Sequence, residues 1–170
     1  RLLLGLLTKT PYILKIIGDK SLSRRDFKRI IDPLEQFGAT FIANNKKTLP
    51  LKILGSEYLR PINFFEKRGS AQCKSSVILA ALNTPGKTTI VAKKSRNHTE
   101  LLLKHLKLPI KVFRNKKYDL IEITGQKQFK SFDYVIPGDM SSSAFFIVLT
   151  LLSKNSKLKI KNVNINPSRL

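Results

Sequence analysis

Four short polar segments hold most of the side chains in this sequence that could do chemistry. The first is Gly18-Asp19-Lys20-Ser21-Leu22-Ser23-Arg24-Arg25, placed just before a helical pattern. Hydroxyls at a helix start can cap backbone amides, and exposed amides beside guanidinium groups make an anion site, because a helix N-terminus carries partial positive charge. The plainer alternative is a capping segment with solvated arginines. The second segment is Gly69-Ser70-Ala71-Gln72, where Ser70 and Gln72 could offer a hydroxyl and an amide to a ligand. The third is Ser95-Arg96-Asn97-His98-Thr99-Glu100, in which Asn97 or Thr99 could simply cap and Glu100 suits a first helical turn. The fourth, Gly138-Asp139-Met140-Ser141-Ser142-Ser143, places Asp139 as a cap, an orienting group or a ligand contact.

Other chemistries find little support. The sequence contains no HExxH, GxxxxGK[ST] or GxSxG motif. Two histidines, His98 and His105, are too few and too poorly accompanied for a metal cluster, so no metal site is expected. The single cysteine, Cys73, opens an apolar helical run and reads as buried, not nucleophilic. One cysteine makes no internal disulfide, which points to a reducing, cytoplasmic setting. No stretch reaches the roughly 20 apolar residues that span a bilayer, so no membrane role is expected. The 170 residues begin with Arg1 inside an apolar run and stop just after Asn166-Pro167-Ser168, so both ends read as cut from a longer protein.

The net charge is +21, from 32 lysines and arginines against 11 acidic residues. Such a surface attracts nucleic acid, acidic lipid or phosphorylated small molecules. With 42% apolar and 25% charged residues the chain has ordinary globular composition. A basic nucleic-acid-binding module is the alternative from another functional class. It would need a basic face with interleaved aromatics, whereas Phe27 and Phe37 fall at core-like spacings and Lys93-Lys94 and Lys116-Lys117 read as solvated charge.

The elements that must position the four segments alternate between helix and strand. Over 25–37, Phe27, Ile30, Ile31, Leu34 and Phe37 keep helical spacing, with Gly38 as a stop and Pro33 as a kink or first-turn position. Leu101, Leu102, His105 and Leu106 do the same over 98–107. Ser75–Leu82 and Ser143–Leu152 are continuous apolar helices, expected to be buried in the centre with strands outside them. Strands are expected at Tyr12–Ile17, Ala39–Ile42, Leu51–Leu54, Thr88–Ala92, Ile110–Phe113, Leu120–Thr124 and Leu158–Val163. This order argues for an α/β or α+β domain. The pieces also recur. Ser23-Arg24, Ser95-Arg96 and Ser168-Arg169 are spaced by 72 and 73 residues, and Gly69-Ser70 and Gly138-Asp139 by 69. A unit of about 70 residues, entered and left mid-copy, implies pseudo-symmetric packing.

Taken together and in order, the polar segments resemble those of the 5-enolpyruvylshikimate-3-phosphate synthases. The stretches that carry the likeness are Gly18 to Arg25, Leu49-Pro50-Leu51, Ser70-Ala71-Gln72-Cys73-Lys74-Ser75, Ser95 to Glu100, and Pro137-Gly138-Asp139-Met140-Ser141-Ser142, spread over essentially the whole chain. The runner-up, a UDP-N-acetylglucosamine enolpyruvyl transferase-like enzyme, shares the fold but not this series. The resemblance implies repeated βαβαββ units in pseudo-threefold arrangement, with residues 1–165 forming most of one of two domains. The copies would cover about 1–60, 61–130 and 131–165, and 166–170 would start a crossover. It also implies transfer of the enolpyruvyl group of phosphoenolpyruvate to shikimate 3-phosphate, in a monomer when complete.

By position, Arg25 and Gln72 match phosphoenolpyruvate-binding residues, and Ser70, Ala71, Gln72, Ser95 and Arg96 match residues around shikimate 3-phosphate. Arg1 would close a phosphoenolpyruvate loop. Asn97 stands where many relatives have Asp, and Asp26 where many have Pro. The acid–base groups would come from the missing domain, leaving no catalytic residue here and an inactive fragment. All the matched helix starts are expected to converge on one face, with Asp139 near it as a cap.

Overall fold

The computed structural model describes residues 1–125 and 130–168, and these fall into two compact units, Arg1–Phe129 and Lys130–Leu170. In the first unit a 3-10 helix, Leu2–Lys9, leads into strand β1, Ile13–Ile16. Helix α1, Lys20–Ser23, and helix α2, Lys28–Phe37, follow, then strands β2, Thr40–Ile42, and β3, Leu51–Leu54. These strands form an antiparallel sheet in the order β1-β3-β2. The next stretch is a full βαβαββ copy: β4 (Asn63–Glu66), α3 (Ala71–Asn83), β5 (Lys87–Lys93), α4 (His98–His105), β6 (Ile110–Arg114) and β7 (Tyr118–Thr124).

Its sheet runs β4-β5-β7-β6, with β4 parallel to β5 and the other pairs antiparallel. The order β1-β3-β2 is the order β5-β7-β6 one copy earlier, so the recurring Ser-Arg pairs do mark a structural repeat. Ser23-Arg24 follows β1 and Ser95-Arg96 follows β5. Arg169 lies outside the described residues, so the third pair has no structural counterpart here.

Period-two burial sets the sheet faces. Thr88, Ile90 and Ala92 on β5 and Asp119, Ile121 and Ile123 on β7 point inward, as do Leu51 and Ile53 on β3. Against them pack Ile30, Ile31, Leu34 and Phe37 of α2, at the spacing expected from the sequence. That helix begins at Lys28, later than 25, because Arg24 closes α1 and Asp26 caps the next start by accepting from the Lys28 amide at 2.6 Å. Gly38 ends it in the left-handed region, at φ 116°.

Helix α3 is buried nearly all round, from Cys73 to Leu82. Its small residues admit close neighbours: a Cβ on Gly5 of the 3-10 helix would collide with the Ser76 carbonyl. Two elements escaped the sequence reading. The 3-10 helix has no clean period, and β4 lies in Asn63–Glu66, where the burial alternates only weakly.

The second unit departs from expectation. Helix α5, Met140–Leu152, forms as expected, but only Ser143 on it is buried; Phe145 and Leu152 are 80% and 81% exposed. An apolar helix is buried only where a second layer covers it, and residues 130–168 contribute one helix and no paired strand. Leu158–Val163 accordingly is not a strand. What remains of the pairing is a single parallel bridge between Gly138 and Val163, which repeats the parallel sense of β4 and β5.

Candidate functional site

Three helix starts of the first unit lie side by side, and the contacts that hold them are specific. Glu66, at the end of β4, is buried and accepts from the amides of Arg68 (3.2 Å), Gly69 (2.6 Å) and Ser70 (3.0 Å). One carboxylate thus fixes the whole turn into α3. Gly69 has φ 70°, and a Cβ there would stand 3.3 Å from the Lys94 carbonyl oxygen. The turn before α3 therefore runs against the turn before α4. Ser70 caps α3 by accepting from the Cys73 amide at 3.3 Å, and its hydroxyl proton stays available to a second partner.

Two further contacts lock α3 to α4 one turn in. Ser75 Oγ and Thr99 Oγ1 are 2.7 Å apart, and Lys74 Nζ lies 2.6 Å from Glu100 Oε1 with both side chains almost wholly buried. Thr99 thus binds across to α3 and does not cap its own helix. Ser70, Ala71 and Gln72 are in this way brought beside Ser95 and Arg96. Gln72 and Arg96 are exposed, while the Ser95 hydroxyl is buried and finds no hydrogen-bond partner among the described residues.

The start of α2 borders the same region. A cleft of about 270 Å³ is lined by Asp26, Lys28 and Arg29 on one side and by Glu66, Lys67, Arg68 and Cys73 on the other. Arg25 precedes the first of these and Gln72 the last. Three guanidinium groups gather at the α2 side. Arg1 donates to the Asp26 carbonyl at 2.8 Å and lies 5.2 Å from the Phe27 ring centroid. Burial, then the like charges of Arg29 and Arg25, push the Arg1 pKa down. Such crowding of positive charge disfavours itself and favours an anion.

The segment Gly18 to Arg25 is stapled differently from the sequence expectation. Carboxylates do the capping: Asp19 accepts from the Leu22 amide at 2.6 Å, while the Ser23 hydroxyl donates backward to the Gly18 carbonyl at 3.1 Å.

Pro33 and Cys73 solve one problem between them. Pro33 sits inside α2 and cannot donate to the Arg29 carbonyl four residues back. The Cys73 thiol donates to that carbonyl instead, at 3.0 Å. Burial, reinforced by the Glu66 carboxylate, pushes the thiol pKa up to about 12, so Cys73 is a neutral packing residue and not a nucleophile.

In the second unit Asp139 caps α5, accepting from the Ser141 amide at 3.1 Å. Among the described residues no helix is long and apolar enough to cross a membrane.

The profile of the family described as EPSP synthase (3-phosphoshikimate 1-carboxyvinyltransferase) matches residues 1–170. The chain belongs to the EPSP synthase family. Among curated relatives, the 3-phosphoshikimate 1-carboxyvinyltransferase of Petrotoga mobilis is 41% identical over 99% of this chain and 39% of its own length. That of Caldicellulosiruptor bescii is 43% identical over the same shares. A solved EPSP synthase from Acinetobacter baumannii superposes with a TM-score of 0.80 at 32% identity, covering 98% of this chain and 37% of that one. The mixed α/β fold with repeated units is therefore that of an EPSP synthase, and the chain spans about two fifths of the length of the relatives it matches.

Sequence reasoning missed Glu66 and the part played by Lys74, and gave Glu100 its place in a first helical turn, which it has, without its ion pair. A signal for Lys74 was present: carrying the buried face of α3 back from Ile78 by one turn lands on it. Glu100 shares the buried face of α4 with Leu103, three residues on. Nothing in the sequence pairs the two.

Proposed function

We propose that this chain forms a phosphate-binding part of the substrate cleft of an enzyme that transfers the enolpyruvyl group of phosphoenolpyruvate to shikimate 3-phosphate. The products are 5-enolpyruvylshikimate 3-phosphate and phosphate. The observation that carries the reading is the side-by-side packing of three helix starts bearing Arg25, Gln72 and Ser95-Arg96. Two anionic substrates repel each other, and cationic and amide donors fixed before binding offset that repulsion and set the reacting geometry.

In this reading Arg25 and Gln72 hold phosphoenolpyruvate. Ser70, Ala71, Gln72, Ser95 and Arg96 hold shikimate 3-phosphate, and the buried, unpaired Ser95 hydroxyl suits a phosphate oxygen. Asp139 keeps its role as a helix cap and orients α5. The general acid and base that the transfer needs come from residues outside this chain. Residues 1–165 make up most of one domain, in copies of about 1–60, 61–130 and 131–165; the crossover expected to open over 166–170 falls in part on residues 169 and 170, outside the described residues. The complete protein works as a cytoplasmic monomer on these two small molecules, with no cofactor and no specific nucleic acid. The neutral, buried Cys73 suits a reducing compartment.

The test is phosphate release by the full-length protein with phosphoenolpyruvate and either shikimate 3-phosphate or UDP-N-acetylglucosamine as acceptor. Turnover is expected with the first alone. Turnover with the second, or with neither, overturns the proposal. Binding to nucleic acid that is steep in salt and blind to sequence would report the +21 charge and no more.

A further inference from the structure

Lys74 and Glu100 are an expensive way to join two helices. Their charged atoms are 2.6 Å apart with side chains 1% and 4% exposed, and among the described residues neither Lys74 Nζ nor Glu100 Oε2 finds a hydrogen-bond partner. An ion pair taken out of water loses hydration that its own attraction hardly restores, and apolar residues of similar volume often serve stability as well or better. Packing alone therefore does not explain the pair. Its location does. Lys74 is two residues after Gln72 and four after Ser70, and Glu100 is four after Arg96 and five after Ser95. The Ser75–Thr99 hydroxyl contact at 2.7 Å lies next to it, and the Gly69–Lys94 approach above it.

We infer that the Lys74–Glu100 ion pair is a positioning pair: it fixes the separation of the α3 and α4 starts, and so the shikimate 3-phosphate site those starts share. Neither residue touches substrate. A short contact between opposite charges out of reach of water defines a distance more sharply than a slippery apolar one, and an error of about 1 Å in a clamp is enough to cost a hundredfold in rate. The inference rests on the enolpyruvyl transfer reading above.

The experiment compares wild type, Lys74→Met, Glu100→Leu and the double variant Lys74→Met/Glu100→Leu in the full-length protein, reading unfolding temperature and the KM for shikimate 3-phosphate. Each single variant strands a buried charge and lowers the unfolding temperature. The double variant removes both charges and regains most of it, yet its KM for shikimate 3-phosphate stays at least tenfold raised with kcat less affected. A double variant that regains both stability and wild-type KM overturns the inference, because the pair then serves stability only.

Should the double variant not fold, Glu100→Gln and Glu100→Ala decide. The amide of Gln can still accept from Lys74 and hold the spacing, so its KM is expected within threefold of wild type while that of Glu100→Ala rises at least tenfold. Equal KM values for these two overturn the inference. Failure of the wild-type protein to use shikimate 3-phosphate at all is a separate result, which removes the substrate reading itself and this inference with it.

Discussion

Replacing Glu66 with glutamine keeps the shape of the side chain and removes its charge, which isolates what the carboxylate does for the turn before α3. In the native turn Oε2 accepts from Gly69 and Ser70 at 2.6 and 3.0 Å, and Oε1 accepts from Arg68 at 3.2 Å. Glutamine has one acceptor atom. In its better orientation the amide oxygen keeps the Gly69 and Ser70 bonds, and its NH₂ then faces the Arg68 amide, donor against donor. A buried donor left unpaired costs about 1–3 kcal/mol, and the two surviving bonds each lose roughly 1 kcal/mol of charge assistance. Neighbouring bonds are not additive, so the net loss is taken as about 3 kcal/mol. Because 1.4 kcal/mol is a factor of ten, amide hydrogen exchange across residues 67–70 should speed up about a hundredfold. The strand β7 segment Tyr118–Thr124 serves as an internal control and should not change. Exchange within threefold of wild type at 67–70 would show that the carboxylate is incidental to the turn, and the account of how α3 is aimed would fail.

Arg25→Ala in the full-length protein should cut kcat/KM for phosphoenolpyruvate at least tenfold, since a lost charge-assisted contact is worth about 1.5–3 kcal/mol. Arg25 is exposed and crowded by Arg1, so the unfolding temperature should hardly move, and unchanged kinetics would make Arg25 a solvated charge. The 170-residue chain alone should release no phosphate above background from the two substrates. Cys73 should resist thiol reagents at pH 8 until the protein unfolds. Its folded pKa of about 12 lies above the ordinary thiol value of 9.0. The stability this contributes is therefore complete below pH 9 and is lost as pH rises from there toward 12, which a pH series of denaturation midpoints checks as a steeper fall in wild type than in Cys73→Ser, where the lysines and tyrosines titrate but no thiol does. The isolated 170-residue chain should bind a hydrophobic dye through α5, and Phe145→Ser with Leu149→Ser should abolish most of that signal. An unchanged signal would place the exposed apolar surface elsewhere.

How much of this was legible in the sequence follows from the range of each interaction. Helix α2 could be read because its burial is periodic and its stop, Gly38, acts locally. The strands β3, β5 and β7 could be read because alternating side chains face a core that lies within the chain. The apolar run that becomes α5 was also legible as a helix, but its burial was not. Periodicity reports which face seeks cover, and cover is a property of other segments. The same limit explains Leu158–Val163, whose composition suits a strand but which among the described residues finds one bridging partner, Gly138.

The site divides along the same line. The residues proposed to meet ligand lie in short polar segments at helix starts, so composition could mark the segments, and the resemblance could name Arg25, Ser70, Ala71, Gln72, Ser95 and Arg96 within them. Residues that aim those segments act across the fold. Glu66 works from the end of a strand, Lys74 and Glu100 meet 26 residues apart, and Cys73 answers a vacancy left by a proline 40 residues earlier. Each fills a need created by another segment, an orphaned carbonyl for Cys73 and three unpaired amides for Glu66. Needs of that kind are visible only once the backbone is drawn, because every buried polar group must be matched somewhere and the sequence does not say where. The same reasoning separates the two classes by experiment: changing a residue proposed to face ligand should alter kinetics and spare stability, whereas removing a single partner from a contact that aims it should disturb both together.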